Sequence, residues 1–594
     1  MDMYGFYTGQ SFDAYTFLGA HPADAGWIFR AFAPAAAHMS VLLDDGEHGM
    51  ERCYDGNFFQ VTIPGLQAGD TYEYRVYHRD GGYTDHCDPY GFEMELRPAH
   101  RSVLCDLAGF KFHDEAWMSR RSPGFSAPVN IYEMHVGSWR KPGEEPADWY
   151  SYDELGSLLV PYMQETGYNC VEFMPISEYP SDESWGYQGT GFFAPTRRYG
   201  SPRQLMQLID TLHAANIAVV LDFVPVHFAG DDYGLKMFDG TALYEYPHGD
   251  VGVSEWGSQN FMHSRGEVRS FLQSAANYWM QVYHFDGIRM DAISRIIYWQ
   301  GDPARGENGN AIDFLRVMTK GLKERNAGCA LYAEDSTNYP KVTSPVDDGG
   351  LGFDYKWDLG WMHDTLEVLQ SDPDQRRDKY HKLTFSMMYY WNEKYILPFS
   401  HDEVVHGKAT ILQKMNGDYE GKFPQGRLLY MYMMVHPGKK LNFMGSEIGQ
   451  LREWDEKREQ DWFLRKYPLH DSFYHYICEL NRHYLTNPAF YAEDYSQNGF
   501  EWLDCAQEER RLYAILRRGG GRRIAAVFNF SEVVQENFTV QIPEAAGIEV
   551  LLYSDWQRFS GATPETEKIC SFADGKLTCT LSPFSALLVS VETA

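Results

Sequence analysis

The sequence is poor in basic residues: 52 Lys and Arg stand against 83 Asp and Glu, giving a net charge of −31. Such a surface repels nucleic acid and anionic membranes, so neutral or cationic partners are expected. No run approaches the roughly 18 apolar residues of a membrane-spanning helix. The opening MDMYGFYTGQ has neither a basic start nor the apolar stretch of a secretory signal. The nine cysteines (53, 87, 105, 170, 329, 478, 505, 570 and 579) include no CxxC pair and no metal-like spacing, which suits reduced thiols and a cytoplasmic protein. HExxH is absent and so is a Ser-His-Asp spacing, and no metal or other cofactor is expected.

Aromatic residues are plentiful, 15% of the chain with 41 Tyr and 15 Trp. Their rings suit the apolar faces of sugars while their polar tips reach hydroxyls; a large aromatic core explains them equally well. A length of 594 residues exceeds one ordinary core, and two to four domains are expected, one of which can be a large α/β barrel.

The texture of the chain changes twice. Up to about residue 110, short alternating runs such as GWIFRAFAP, NFFQVTIPGL and TYEYRVYHRD predict a small β-sandwich. From about 127, strand-like apolar runs alternate with helix-like segments: VNIYEMHV, NCVEFMP, IAVVLDFVPV, FDGIRMD, CALYAED, LGFDYKW, YILPFSHD and KKLNFMG. Eight such runs with helices between them predict a closed (β/α)8 barrel. An open doubly wound sheet is the rival, and the lack of a glycine-rich phosphate loop after the first strand counts against it. Beyond about 488, RRLYAILRR, RRIAAVFNF and IEVLLYS predict a closing β module. The expected division is 1–115 for the N-terminal sandwich, 116–487 for the barrel and 488–594 for the C-terminal β-sandwich domain.

Polar groups at the carboxyl ends of barrel strands meet on the face where such folds place chemistry. Strand three ends in DFVPVH, with Asp222 and His227; strand four in Arg289 and Asp291; strand five in Glu334, followed by Asp335; strand seven in His401 and Asp402. Three carboxylates without a metal motif suggest glycosyl transfer, in which one ionised acid attacks the anomeric carbon and a protonated one serves the leaving oxygen. Asp291, two residues from Arg289 on one strand face, is the better nucleophile. Glu334, preceded by the apolar LYA, is the better acid/base.

These stretches also carry a resemblance. DFVPVH, GIRMDAIS, LYAEDS and FSHDEVVHGK resemble, in order and spacing, the four short motifs of glycoside hydrolase family 13, the α-amylase superfamily. IYEMHVGSWR at 131, ESWGYQGTGFFAPTRRYGSP at 183, GGLGFDYKWDLGWMHDTL at 349 and HPGKKLNFMGSEIGQLREW at 436 narrow it to the 1,4-α-glucan branching enzymes, over nearly the whole chain. The resemblance implies an N-terminal carbohydrate-binding-like β domain before the barrel, and an α-1,4-glucan substrate. It implies that Asp291 forms a covalent glucosyl ester, that Glu334 is acid/base and that Asp402 stabilises the transition state. His227 and His401 would grip sugar hydroxyls, Arg289 would hold Asp291 ionised, Asp222 would support the site and Tyr187 would stack on the sugar, with His406 behind them. Asn57-Phe58-Phe59 departs from the Gly-Val-Trp of related N-terminal modules, and YWQGDPARGENGNAIDF is shorter than in many bacterial relatives. The shared carboxylates leave an α-glucan hydrolase or debranching enzyme open as the alternative, and a glucan-binding scaffold as a more distant one. A monomer acting on glycogen, amylose or a starch-like polymer is expected.

Overall fold

All eight apolar runs become strands of one sheet: β1 (Asn130–Met134), β2 (Cys170–Phe173), β3 (Ala218–Phe223), β4 (Gly287–Met290), β5 (Ala330–Ala333), β6 (Tyr355–Trp357), β7 (Tyr395–Phe399) and β8 (Lys439–Phe443). In the computed structural model, which describes residues 1–593, they form a closed barrel in chain order. Register is explicit at the strands that matter: Asp222 lies opposite Arg289 across β3 and β4, and Arg289 opposite Tyr332 across β4 and β5. Every residue of β4 and β5 is buried, as expected of parallel strands covered on both faces, and for that reason these runs do not alternate. Among the described residues, no helix is long and apolar enough to cross a membrane.

Helices follow most strands: α1 (Tyr152–Thr166), α2 (Pro202–Ala214), α3 (Gly266–Val282), α4 (Gly309–Arg325), α5 (Leu359–Gln370), α6 (Tyr419–Val435) and α7 (Pro468–Thr486). The start of α2 is spelled out in sequence. Ser201 caps it, Gln204 reciprocates in a capping box, and Pro202 occupies the first turn, where its missing N–H costs nothing. Between β5 and β6 the chain has only a short 3₁₀ turn, Val346–Asp348.

The chain divides into two compact units, one of Met1–Pro123, His135–Val160 and Glu172–Asp354, the other of Gly124–Met134, Pro161–Val171 and the chain from Tyr355 onward. In the first, two antiparallel sheets precede the barrel strands, one built on Gly26–Phe32 paired with Phe58–Ile63 and one on His38–Leu43 paired with Thr71–Tyr77. The very start departs from the all-β expectation. Met3–Thr8 is a helix, and its end crosses α3 so closely that a Cβ on Gly266 would stand 1.9 Å from the Tyr7 carbonyl oxygen. Side chains of α3 then hold the strand-less stretch behind it: Ser270 donates to Phe6 O at 2.9 Å and Asn277 to Phe12 O at 2.9 Å.

In the second unit a five-stranded sheet, with Leu512–Gly519 and Arg522–Asn529 at its centre, faces a three-stranded one. Their inner faces read with period two, Leu512, Ala514 and Leu516 against Phe538, Val540, Leu577 and Leu581. The hairpin turn between the two central strands needs Gly520 and Gly521, whose φ values of 56° and 73° fit the twist of a two-residue loop.

Candidate active site

In the first unit, the sequence around β4 folds so that two carboxylates share one cation. β4 starts at Gly287, where a Cβ would stand 2.5 Å from the Ala330 carbonyl oxygen of β5; only glycine permits that approach. The ladder runs on past the strand end, with Asp291 N–H donating to Phe223 O at 3.0 Å and Glu334 N–H to Met290 O at 3.1 Å. Ala292 then turns left-handed, φ 44°, an uncommon state for a residue with a Cβ and one that marks local strain. The turn aims its N–H at Glu334 Oε2, 2.9 Å away.

Arg289 is the hub. Its side chain is 0% exposed, Nη1 lies 2.7 Å from Asp291 Oδ1 and Nη2 lies 2.9 Å from Glu334 Oε2. Nη1 also contacts Asp222 Oδ1 at 2.7 Å and Oδ2 at 2.8 Å. Burial alone would lower the pKa of this guanidinium, but the facing carboxylates, Asp222 foremost, outweigh it and raise it well above its ordinary value. A cation is therefore fixed between the two acids. The environment of Glu334 differs from the one its neighbours suggest: Leu331, Tyr332 and Ala333 are buried, yet the carboxylate itself meets a guanidinium and a backbone N–H instead of an apolar pocket.

Tyr187 joins the cluster through Asp222, whose Oδ2 accepts its hydroxyl at 2.5 Å. Two left-handed residues in a row, Trp185 at φ 55° and Gly186 at φ 91°, point it there, and a Cβ on Gly186 would strike Pro175 O at 2.4 Å. His227 Nε2–H donates to the Tyr187 carbonyl at 2.9 Å and Nδ1 accepts from the Ser258 hydroxyl at 2.9 Å. Burial pushes the imidazole down to about 4, so it is neutral at physiological pH and both nitrogens are engaged by protein atoms. In this arrangement His227 holds the Tyr187 backbone.

In the second unit, His401 is held by a residue that strand-end reasoning passed over. Glu133, in β1 and fully buried, accepts the His401 backbone N–H at 3.0 Å with Oε2 and ring Nδ1–H at 2.6 Å with Oε1. The ring is thereby fixed with Nδ1 as donor. Its Nε2 lies 3.5 Å from Asp402 Oδ1, and the Asp402 side chain is 47% exposed. His406 sits in the following turn at φ 58°. A lone carboxylate inside the apolar run NIYEM was a usable signal for Glu133; nothing in the sequence marks Ala292 as the N–H donor to Glu334, since that depends on its φ. Among the described residues, no group of three or more His, Cys, Asp or Glu is arranged to hold a metal ion.

Residues 2–90 match the family described as alpha-1,4-glucan branching enzyme GlgB, N-terminal domain, and residues 502–592 match the alpha amylase C-terminal all-beta domain. The chain is 39% identical over 590 residues to the 1,4-alpha-glucan branching enzyme GlgB of Bacillus subtilis, covering 97% of this chain and 94% of the relative. To the enzyme of the same name from Fusobacterium nucleatum it is 41% identical over 572 residues, covering 95% and 93%. Among solved structures, a pullulanase variant of Paenibacillus barengoltzii complexed with maltotetraose superposes with a TM-score of 0.76 at 18% identity, over 100% of this chain and 97% of that one; at that identity the likeness speaks for the fold. Two branching enzymes at 39% and 41% identity along almost their whole length settle the matter of kinship, and the chain belongs to the 1,4-α-glucan branching enzyme family.

Proposed function

We propose that the chain cleaves an internal α-1,4 bond of a linear glucan and re-forms it as an α-1,6 branch by double displacement, with Asp291, Glu334 and Asp402 as the catalytic carboxylates. In the first step a carboxylate oxygen of Asp291 attacks the anomeric carbon, the bond from that carbon to the leaving 4-oxygen breaks, and Glu334 gives its proton to that oxygen. In the second, Glu334 takes the proton from a 6-hydroxyl of another glucose residue, the new bond forms at the anomeric carbon and the ester to Asp291 breaks. Asp402 and His401 bind hydroxyls of the reacting sugar, and Tyr187 offers it a ring face. Asp222 and Arg289 hold the two acids in place, and His227 holds Tyr187.

Kinship with branching enzymes at 39% and 41% identity favours transfer over hydrolysis, and the observation that supports double displacement is the single buried guanidinium of Arg289 bound to both Asp291 and Glu334. A guanidinium shared by both acids fits a retaining mechanism, in which the two carboxyls act about 5 to 5.5 Å apart. The polymer is glycogen, amylose or a starch-like glucan, and the setting a biosynthetic one in the cytoplasm. Cys87, Cys329, Cys478 and Cys579 are buried free thiols, as suits a reducing compartment. The enzyme works as a monomer. The decisive experiment incubates it with amylose and counts α-1,6 anomeric protons and reducing ends. Branching raises the first with little of the second; a rise in reducing ends without new α-1,6 signals would instead identify a hydrolase.

A further inference from the structure

Trp256 sits beside this cluster on a loop between β3 and α3 and has no part in the roles above. It is 51% exposed, although burying its indole would be favourable. The loop is built to hold it. Ser254 N–H donates to Ser258 O at 2.9 Å, and the Ser254 hydroxyl accepts from the N–H groups of Trp256 and Ser258 at 3.2 Å each. The Ser258 hydroxyl that reaches His227 Nδ1 ties this loop to Tyr187 through the same imidazole.

Two neighbours pack on the half-exposed indole. The Arg295 guanidinium carbon lies 4.2 Å from its ring centroid, and the His227 ring approaches edge-on, centroids 5.6 Å apart at 82°. Arg295 is itself fixed by Glu255 and by the Gln300 carbonyl at 3.2 Å. Its charge is thus balanced by Glu255, which removes the reason for an anion to bind there. What remains is a half-exposed aromatic ring beside polar groups, with Arg295, four residues along the chain from Asp291, packed on it. Such a face suits a neutral ring with one apolar side and equatorial hydroxyls, which is a pyranose.

We propose that Trp256 is a stacking platform for a glucose residue of the glucan chain, adjacent to the residue held by the carboxylates. The proposal rests on the reading of the site as an α-glucan transferase. It is a binding contact, and Arg295 and Ser258 are positioning residues that act through it.

The test measures maltoheptaose binding to the full chain by calorimetry for wild type, Trp256→Ala, Trp256→Leu and Trp256→Phe, with melting curves confirming that each is folded. Loss of one indole face should weaken binding about tenfold in Trp256→Ala and Trp256→Leu, while Trp256→Phe keeps most of the affinity. The leucine and phenylalanine variants differ in aromaticity at similar bulk, so a merely structural role would not separate them. Wild-type affinity in both the Ala and Leu variants overturns the proposal. Counting α-1,6 linkages made from amylose by the same wild-type preparation separates the two ideas: Trp256-dependent binding without branch formation leaves the platform standing and removes the proposed activity, whereas branching with unaltered binding in the variants removes the platform alone.

Discussion

Arg289 Nη1 stands 2.7 Å from Asp291 Oδ1 on a side chain with no solvent exposure. The same guanidinium binds Asp222 and Glu334, so one cation is shared by three carboxylates, and the arrangement of the two proposed reacting groups depends on it.

Arg289→Lys is expected to be far from conservative. An ammonium cannot present two parallel nitrogens to two carboxylates, and leaving buried Asp222 and part-buried Asp291 and Glu334 underpaired should lower stability by about 3 kcal/mol. Branching activity should fall at least a hundredfold. Urea unfolding and linkage counting on amylose check both parts; an active, equally stable lysine variant would contradict the role given to Arg289.

Glu133→Ala should free the His401 ring to rotate and change tautomer. Losing a charge-assisted hydrogen bond worth roughly 1.5 to 3 kcal/mol corresponds to a drop of about ten- to a hundredfold in kcat/KM. Glu133→Gln, which keeps one acceptor oxygen, should recover part of the loss. Steady-state branching rates for the two variants give the comparison, with melting temperatures to separate a folding defect from a catalytic one.

The imidazole of His213, at the end of α2, lies 2.7 Å from Asp114 Oδ2 at Nδ1 and 3.0 Å from Asp286 Oδ2 at Nε2. Burial alone would lower its pKa, but the two carboxylates raise it above the ordinary 6.5. Burial would raise Asp114; hydrogen bonds from His213 and His284 lower it below 3.8. The histidine's contribution to stability is therefore full below pH 6.5 and lost as pH rises through its raised value. The aspartate's contribution is present above 3.8 and lost as pH falls through its lowered one. Melting curves of wild type and His213→Gln should differ most near about pH 5.5 and converge toward about pH 9; a gap independent of pH would show that the cluster is not charged.

Much of this was legible beforehand. The eight barrel strands were, because parallel strands buried on both faces are written largely as apolar runs such as ALYA and AVVL. So was the pairing of Arg289 with Asp291, which needs only the two-residue repeat of a strand. Other features were hidden. The helix α5 escaped notice even though Asp358 caps it by accepting from Trp361 N–H at 2.9 Å, because a strand ends one residue before the cap and the two signals overlap. The helix at Met3–Thr8 is too short to show a period. The partnership of Glu133 with His401 joins residues far apart in sequence, and the contact of Ala292 with Glu334 depends on a backbone angle. Composition reports neither.

The most direct test of the account uses Glu334→Gln, in which the ester formed in the first step should persist, with an α-maltosyl fluoride whose leaving group needs no proton. Digestion and mass spectrometry should then find a maltosyl adduct on the peptide containing Asp291 and none when Asp291→Ala is added. An adduct on another carboxylate, or wild-type branching by Asp291→Ala, would contradict the claim that Asp291 is the nucleophile.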